Sequence, residues 1–154
     1  MNALRLKRGF TLVEIMIVVA LIGLLASIAV PTMLNASRTS RSKAIAKEIQ
    51  TAGDAFIQYS FDHAGEYPAD KTPAQMPSGM APYLSKFPWT EETIVGGNWD
   101  WDYNVFGVTA AVSVKSPTWD DDLMTLVDEV LDDGDLGSGM FRTRGGGYMY
   151  VLEE

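Results

Sequence analysis

Two groups of carboxylates in this chain stand where they could do chemistry. The first is a single residue, Glu14, at the start of an apolar run. From Ile15 to Ser37 no charged residue follows it. A charge at the centre of a membrane helix costs on the order of 2.5–3.5 kcal/mol on insertion scales, and less near an end. An intramembrane ionisable residue is therefore a functional candidate by default. The plainer reading is a helix-end carboxylate that favours the N-terminal dipole and snorkels to the interface. The second group is Asp132-Asp133-Gly134-Asp135-Leu136-Gly137-Ser138-Gly139. Calcium wants about six to eight oxygens from a flexible loop. Asp132, Asp133 and Asp135 would supply carboxylates, and the glycines reachable carbonyls. The spacing is not that of an EF-hand, and no Glu follows at the bidentate position. The alternative is a solvated acidic turn with Gly134 left-handed.

Other chemistries find little support. His63 is the single histidine and there is no cysteine, which excludes Cys–His sites and disulfides and nearly excludes His-ligated zinc. The serines are scattered, with no nucleophile-elbow pattern. The chain reads as a non-enzyme that requires no cofactor, calcium being the one candidate. Its charge is −8 overall, and −14 past Lys47, where five basic residues meet nineteen acidic ones. A domain this acidic is a poor nucleic-acid binder. Without disulfides the fold must hold by burial or by a metal.

The elements that would position these groups follow from periodicity. Phe10 to Val30 is 21 residues, which as a helix spans about 31 Å, close to a hydrocarbon core. It is apolar all round, with Gly23, Ala26, Ser27 and Ala29 giving small surfaces for another helix. Pro31 removes a backbone donor and should kink the helix or end its membrane part. Beyond it Ile45, Ile49, Ala52 and Phe56 form one apolar stripe, opposite Arg41, Lys43, Lys47, Gln50 and Asp54. The helix should stop between Asp62 and Gly65. Five prolines between residues 64 and 90 forbid regular helix there.

Trp99 to Phe106 alternates aromatic with acidic or amide residues, the mark of a half-buried strand with Trp99, Trp101 and Tyr103 on one side and the acids on the other. Gly107 turns the chain into a second strand, Val108 to Lys115, with Ala110, Val112 and Val114 on one face. Trp119 to Leu131 reads as helix, with Thr118 as N-cap and Leu123, Val127, Val130 and Leu131 as its buried stripe. Phe141–Arg144, a Gly145-Gly146-Gly147 turn and Tyr148–Leu152 make a closing hairpin. The expected fold is α+β: one long N-terminal helix on a small antiparallel sheet of about four strands.

A leader carrying Arg5, Lys7 and Arg8, then Gly9-Phe10-Thr11-Leu12-Val13-Glu14, then the uncharged helix: this order resembles the class III signal of type IV prepilins and type II secretion pseudopilins. The resemblance implies a prepilin peptidase that cuts after Gly9 and methylates Phe10. It implies that Glu14 neutralises the new α-amino group of a neighbouring subunit inside a filament. It also implies a pilin-like fold, with the helix continuing past Pro31, and Gly65-Glu66-Tyr67-Pro68 matches the connecting loop of pseudopilins. Calcium bound in a C-terminal loop of major pseudopilins adds weight to Asp132, Asp133 and Asp135.

The chain then divides into a cleaved cytoplasmic leader (1–9), a transmembrane and polymerisation helix (10–34), and the amphipathic helix half with a globular domain (35–154). The expected setting is a single-pass protein of the bacterial inner membrane with a periplasmic C-terminal domain, entering a filament with like subunits. Orientation rests on the resemblance, because the flank after the span is slightly richer in Lys and Arg than the leader. Three rivals stand beside this. One is an ordinary secretory signal, with Ala26-Ser27-Ile28-Ala29 as a weak cleavage site. Another, within the class, is a type IV pilus subunit rather than a secretion pseudopilin. The third is a membrane-anchored, non-polymerising binding module whose Trp-rich strand grips a ligand.

Overall fold

The computed structural model describes residues 9–154. The leader residues Arg5, Lys7 and Arg8 lie outside them. Six elements follow in order: α1 (Leu12–Asp62), β1 (Asn98–Val105), β2 (Val108–Lys115), α2 (Asp121–Leu131), β3 (Phe141–Arg144) and β4 (Gly147–Glu153). The strands form one antiparallel sheet in the order β1-β2-β4-β3. The α+β architecture of a long N-terminal helix with a four-stranded sheet is therefore the observed one.

The chain separates into two compact units, one ending at Ser37 and one spanning Arg38–Glu154. In the first, α1 runs through Pro31 without stopping. Proline has no N–H, so the carbonyl of Ser27 loses its donor one turn back. From Leu12 to Leu34 the large apolar side chains are all exposed, and this is a helix long and apolar enough to cross a membrane.

In the second unit α1 buries the expected stripe. Ile45, Ile49, Ala52 and Phe56 are each at most 1% exposed. The Phe56 ring stacks on Trp101 at 3.8 Å between centroids, and Gly53 lets the helix approach β4 closely, since a Cβ there would meet Leu152 Cδ2 at 3.0 Å. The helix ends where Ala64 and Gly65 turn left-handed, the Gly65 amide donating to Ser60 O at 2.8 Å. Across the sheet's inner face Trp99 pairs with Val114, Trp101 with Val112, and Val112 with Tyr150. Segment 64–90 contributes Met80, Leu84 and Trp89 to the same core. Two of the indoles buried there donate to carbonyls: Trp101 Nε1 to Pro68 O and Trp89 Nε1 to Gln75 O, each at 2.9 Å.

Two details of α2 differ from expectation. Its N-cap is Asp120, whose carboxylate accepts from the Leu123 amide at 3.1 Å. Thr118 instead donates its hydroxyl to Val95 O at 3.1 Å, tying the helix entry to the turn before β1. The buried face is Leu123, Met124, Val127 and Asp128, with Leu131 half-buried, while Val130 is 42% exposed. Residues 124, 127, 128 and 131 lie at helical spacing, and Val130 falls on the neighbouring face.

Candidate functional site

Gly9, Phe10, Thr11 and Glu14 line one surface hollow at the start of α1. Thr11 stands just before the first helical residue and makes a reciprocal cap with Glu14. The Thr11 amide and hydroxyl both donate to Glu14 Oε2, at 2.7 and 2.8 Å, while the Glu14 amide donates back to Thr11 Oγ1 at 3.2 Å. This capping box satisfies donors that a helix start otherwise leaves bare. Within lipid that matters more, because no water is present to serve them. Sequence reasoning weighed Glu14 as a charge and missed Thr11 as its partner. The signal was the Thr-x-x-Glu spacing before an apolar run.

Phe10 is 83% exposed. A Cβ built on Gly9 would meet nothing within 4 Å. Among the described residues the fold therefore makes no steric demand for glycine at position 9.

The acidic loop after α2 is arranged differently from the expected ligand set. Asp128, Asp132 and Asp133 bring carboxylate oxygens within 4.8 Å of one another. Asp135 does not join them, because its carboxylate accepts from the Gly137 amide at 3.0 Å and from the Ser138 hydroxyl at 3.2 Å, closing its own turn. Asp132 accepts from the Met140 amide, and Asp133 from the Asp135 amide at 2.8 Å. Asp128 is fully buried, and among the described residues neither of its oxygens has a hydrogen-bond partner. The Gly134 amide is near enough to favour its charge without forming a bond of ordinary geometry. Burial first, then the charges of Asp133, Asp132 and Asp135, push the Asp128 carboxyl up to about 6. No basic residue stands in the last turn of α2, although a helix C-terminus favours cations. An oxygen-only set around a buried, unpaired carboxylate suits a hard cation such as calcium. Asp132, the C-cap of α2, follows Asp128 by four residues, a spacing that could have revealed the pair.

The Trp-rich strand offers no gripping surface. Trp99 and Trp101 are each 1% exposed, packed among Phe56, Phe87 and Trp89. That removes the observation on which a binding module would rest. The acids between them hold the larger surprise. Asp100 and Asp102 are buried on the other face of the sheet, paired with Arg144, and Ser113 donates its hydroxyl to Asp102.

The N-terminal segment matches the family model described as the prokaryotic N-terminal methylation motif, over residues 4–30. The chain is 32% identical over 132 residues to the type IV major fimbrial protein FimA of Dichelobacter nodosus, covering 73% of this chain and 80% of that protein. It is 48% identical over 54 residues to the type IV major pilin protein PilA of Myxococcus xanthus, covering 33% of this chain and 24% of that one. To the type II secretion system core protein G of Escherichia coli it is 39% identical over 64 residues, covering 41% of this chain and 43% of that one. No solved structure matches significantly. With the methylation motif, the capped Glu14, the apolar helix and the α+β unit together, the chain belongs to the family of type IV pilins and type II secretion pseudopilins, whose members are structural subunits.

Proposed function

We propose that this protein is a prepilin-like subunit, cut after Gly9 and N-methylated on Phe10 by a prepilin peptidase. It then assembles with like subunits into a type II secretion pseudopilus or a type IV pilus-like filament. The observation that carries this reading is α1 itself. Among the described residues nothing covers its apolar half, which suits lipid or other such helices, and its one charge is held by Thr11 at the very end. Before assembly the helix anchors the chain in the inner membrane, with the globular unit on the periplasmic side.

Mass spectrometry of the mature chain tests the first step. The expected N-terminal residue is N-methyl-Phe10. Gly9→Val should leave the unprocessed chain as the dominant species, since the peptidase must approach this backbone closely while the subunit's fold has room for the side chain. An unprocessed parent chain, or a cut near Ala29, would overturn the reading. Electron microscopy of sheared material from expressing cells then tests assembly.

Calcium at Asp128, Asp132 and Asp133 is part of the same proposal. When bound it would supply the positive charge that the end of α2 lacks and let Asp128 ionise. Calcium binding only the folded state stabilises it, by about 2.7 kcal/mol at a hundredfold excess over Kd. Millimolar calcium should therefore raise Tm near neutral pH, and Asp128→Asn should abolish the gain. The gain should shrink as pH falls through about 6, where protons compete for Asp128. An unchanged Tm with calcium at neutral pH would leave a bare acidic turn.

A further inference from the structure

The sheet's outer face holds a buried cluster with two carboxylates for one cation. Asp100 and Asp102 on β1 share the guanidinium of Arg144, which reaches across from β3. All three are nearly sealed: Asp100 is 5% and Asp102 3% exposed, and the Arg144 side chain 3%. Gly147 stands in register opposite Arg144 and packs against the Val114 carbonyl of β2, and the Phe106 ring covers the guanidinium at 4.9 Å.

The partners are unevenly divided. Asp102 accepts from the Ser113 hydroxyl and lies 3.1 Å from Arg144 Nε. Asp100 accepts from Arg144 through Oδ2 alone, and its Oδ1 is buried without a partner. Among the described residues no further element completes the neutralisation. Lys115 on β2 favours charge on Asp102, but its ammonium donates to Gly145 O at 2.7 Å. The loop before β1 brings Asp70, another negative charge. On this face β4 places Gly147 and Met149, neither charged.

We propose that the Asp100–Arg144–Asp102 cluster is a proton-operated latch between β1 and β3. In mildly acid medium it holds one proton on Asp100 and is neutral; toward neutral pH it loses that proton and is left with excess buried negative charge. The proton goes to Oδ1, the oxygen lacking a donor, while Oδ2 keeps its bond from Arg144. Arg144 and Asp102 then remain as a matched pair.

The energetics follow the same geometry. Burial first, then the charge of Asp102, raise Asp100 from 3.8 to about 6, against the pull of Arg144. Burial raises Asp102 as well, with Ser113 and Arg144 opposing. Between those two values the folded chain holds a proton that the unfolded chain has lost. Stability from this group is thus fully present below pH 3.8 and is lost as pH rises through about 6.

The test is thermal unfolding of the full-length protein in detergent micelles, followed by tryptophan fluorescence. An Asp128→Asn background silences the carboxyl outside the cluster that is raised as far as Asp100. Tm should be higher near pH 5 than near pH 7.5, by about 4–8 °C. Adding Asp100→Asn, which mimics the protonated acid, should hold the acid Tm at both pH values and remove the slope. Infrared spectra should show a protonated-carboxyl band that disappears as pH rises through this range and is absent in the Asp100→Asn protein. A Tm that stays flat or rises over this range would overturn the proposal, as would a slope or band that survives Asp100→Asn. If Asp100→Asn does not fold, the infrared titration of the Asp128→Asn protein decides: no protonated-carboxyl band near pH 5 would equally overturn it.

Discussion

Replacing Arg144 with methionine should destabilise the globular unit by about 3–5 kcal/mol at neutral pH, the usual cost of removing one partner from a buried ion pair. Among the described residues Arg144 is the one cation that forms an ion pair with both Asp100 and Asp102. Without it two carboxylates remain in a face that water scarcely reaches, and Ser113 satisfies only one oxygen of one of them. The loss should be largely recovered near pH 5, where protonation can neutralise both acids. It should be partly recovered in the Arg144→Met protein that carries Asp100→Asn and Asp102→Asn, because the unpaired buried charges are gone while the new amide donors still lack partners. Arg144→Lys should fall between, keeping the charge but losing the planar fork that meets two carboxylates at once. Urea unfolding at two pH values measures all of this. A loss below about 1 kcal/mol that does not change with pH would mean that the cluster is effectively solvated.

Glu14→Gln should yield a processed, membrane-embedded, folded subunit that enters filaments poorly. In the proposed filament, a bundle of apolar helices, each incoming subunit would bring the charged amine of Phe10 into a low-dielectric core. Unpaired, that charge costs several kcal/mol, and a neighbour's carboxylate offsets it only in the right axial register. Each 1.4 kcal/mol is about tenfold in an equilibrium constant, so filament yield should fall by about tenfold or more. The glutamine matters because Glu14 has a second occupation, accepting from the Thr11 amide and hydroxyl. An amide oxygen can keep those bonds while the charge is gone. Glu14→Ala removes both roles and should be the poorer assembler, and Glu14→Asp, with shorter reach, should be intermediate. Comparing sheared filament with membrane-held processed subunit reads the effect. If Glu14→Gln assembled like the parent, capping rather than charge would be the residue's role. If it failed chiefly at cleavage, the assembly role would be wrong.

What the chain's order alone determined is whatever depends on near neighbours. The α1 stripe of Ile45, Ile49, Ala52 and Phe56 is a matter of 3.6-residue period, and it is buried as spaced. The aromatic alternation from Trp99 and the Phe106-Gly107 turn define β1 and β2, which run Asn98–Val105 and Val108–Lys115. The charge-free run after Glu14, bounded by Gly9 and Phe10, is likewise a local pattern, and it carries the family.

Tertiary structure decided what depends on distant partners. Thr118 and Asp120 are both chemically able to cap α2; Val95, far back in the chain, takes the Thr118 hydroxyl and leaves the cap to Asp120. Asp128 looked like one acid among many until burial stripped it of partners beside Asp132 and Asp133. Alternation put Asp100 and Asp102 opposite the tryptophans, on the face where a half-buried strand would meet water. Only the closing hairpin, by laying β4 against β2 with β3 outside it, brings Arg144 within reach of them. Strand order is set by non-local pairing and the burial it allows. No window of neighbouring residues contains the information that two acids and an arginine some forty residues later share one dry face.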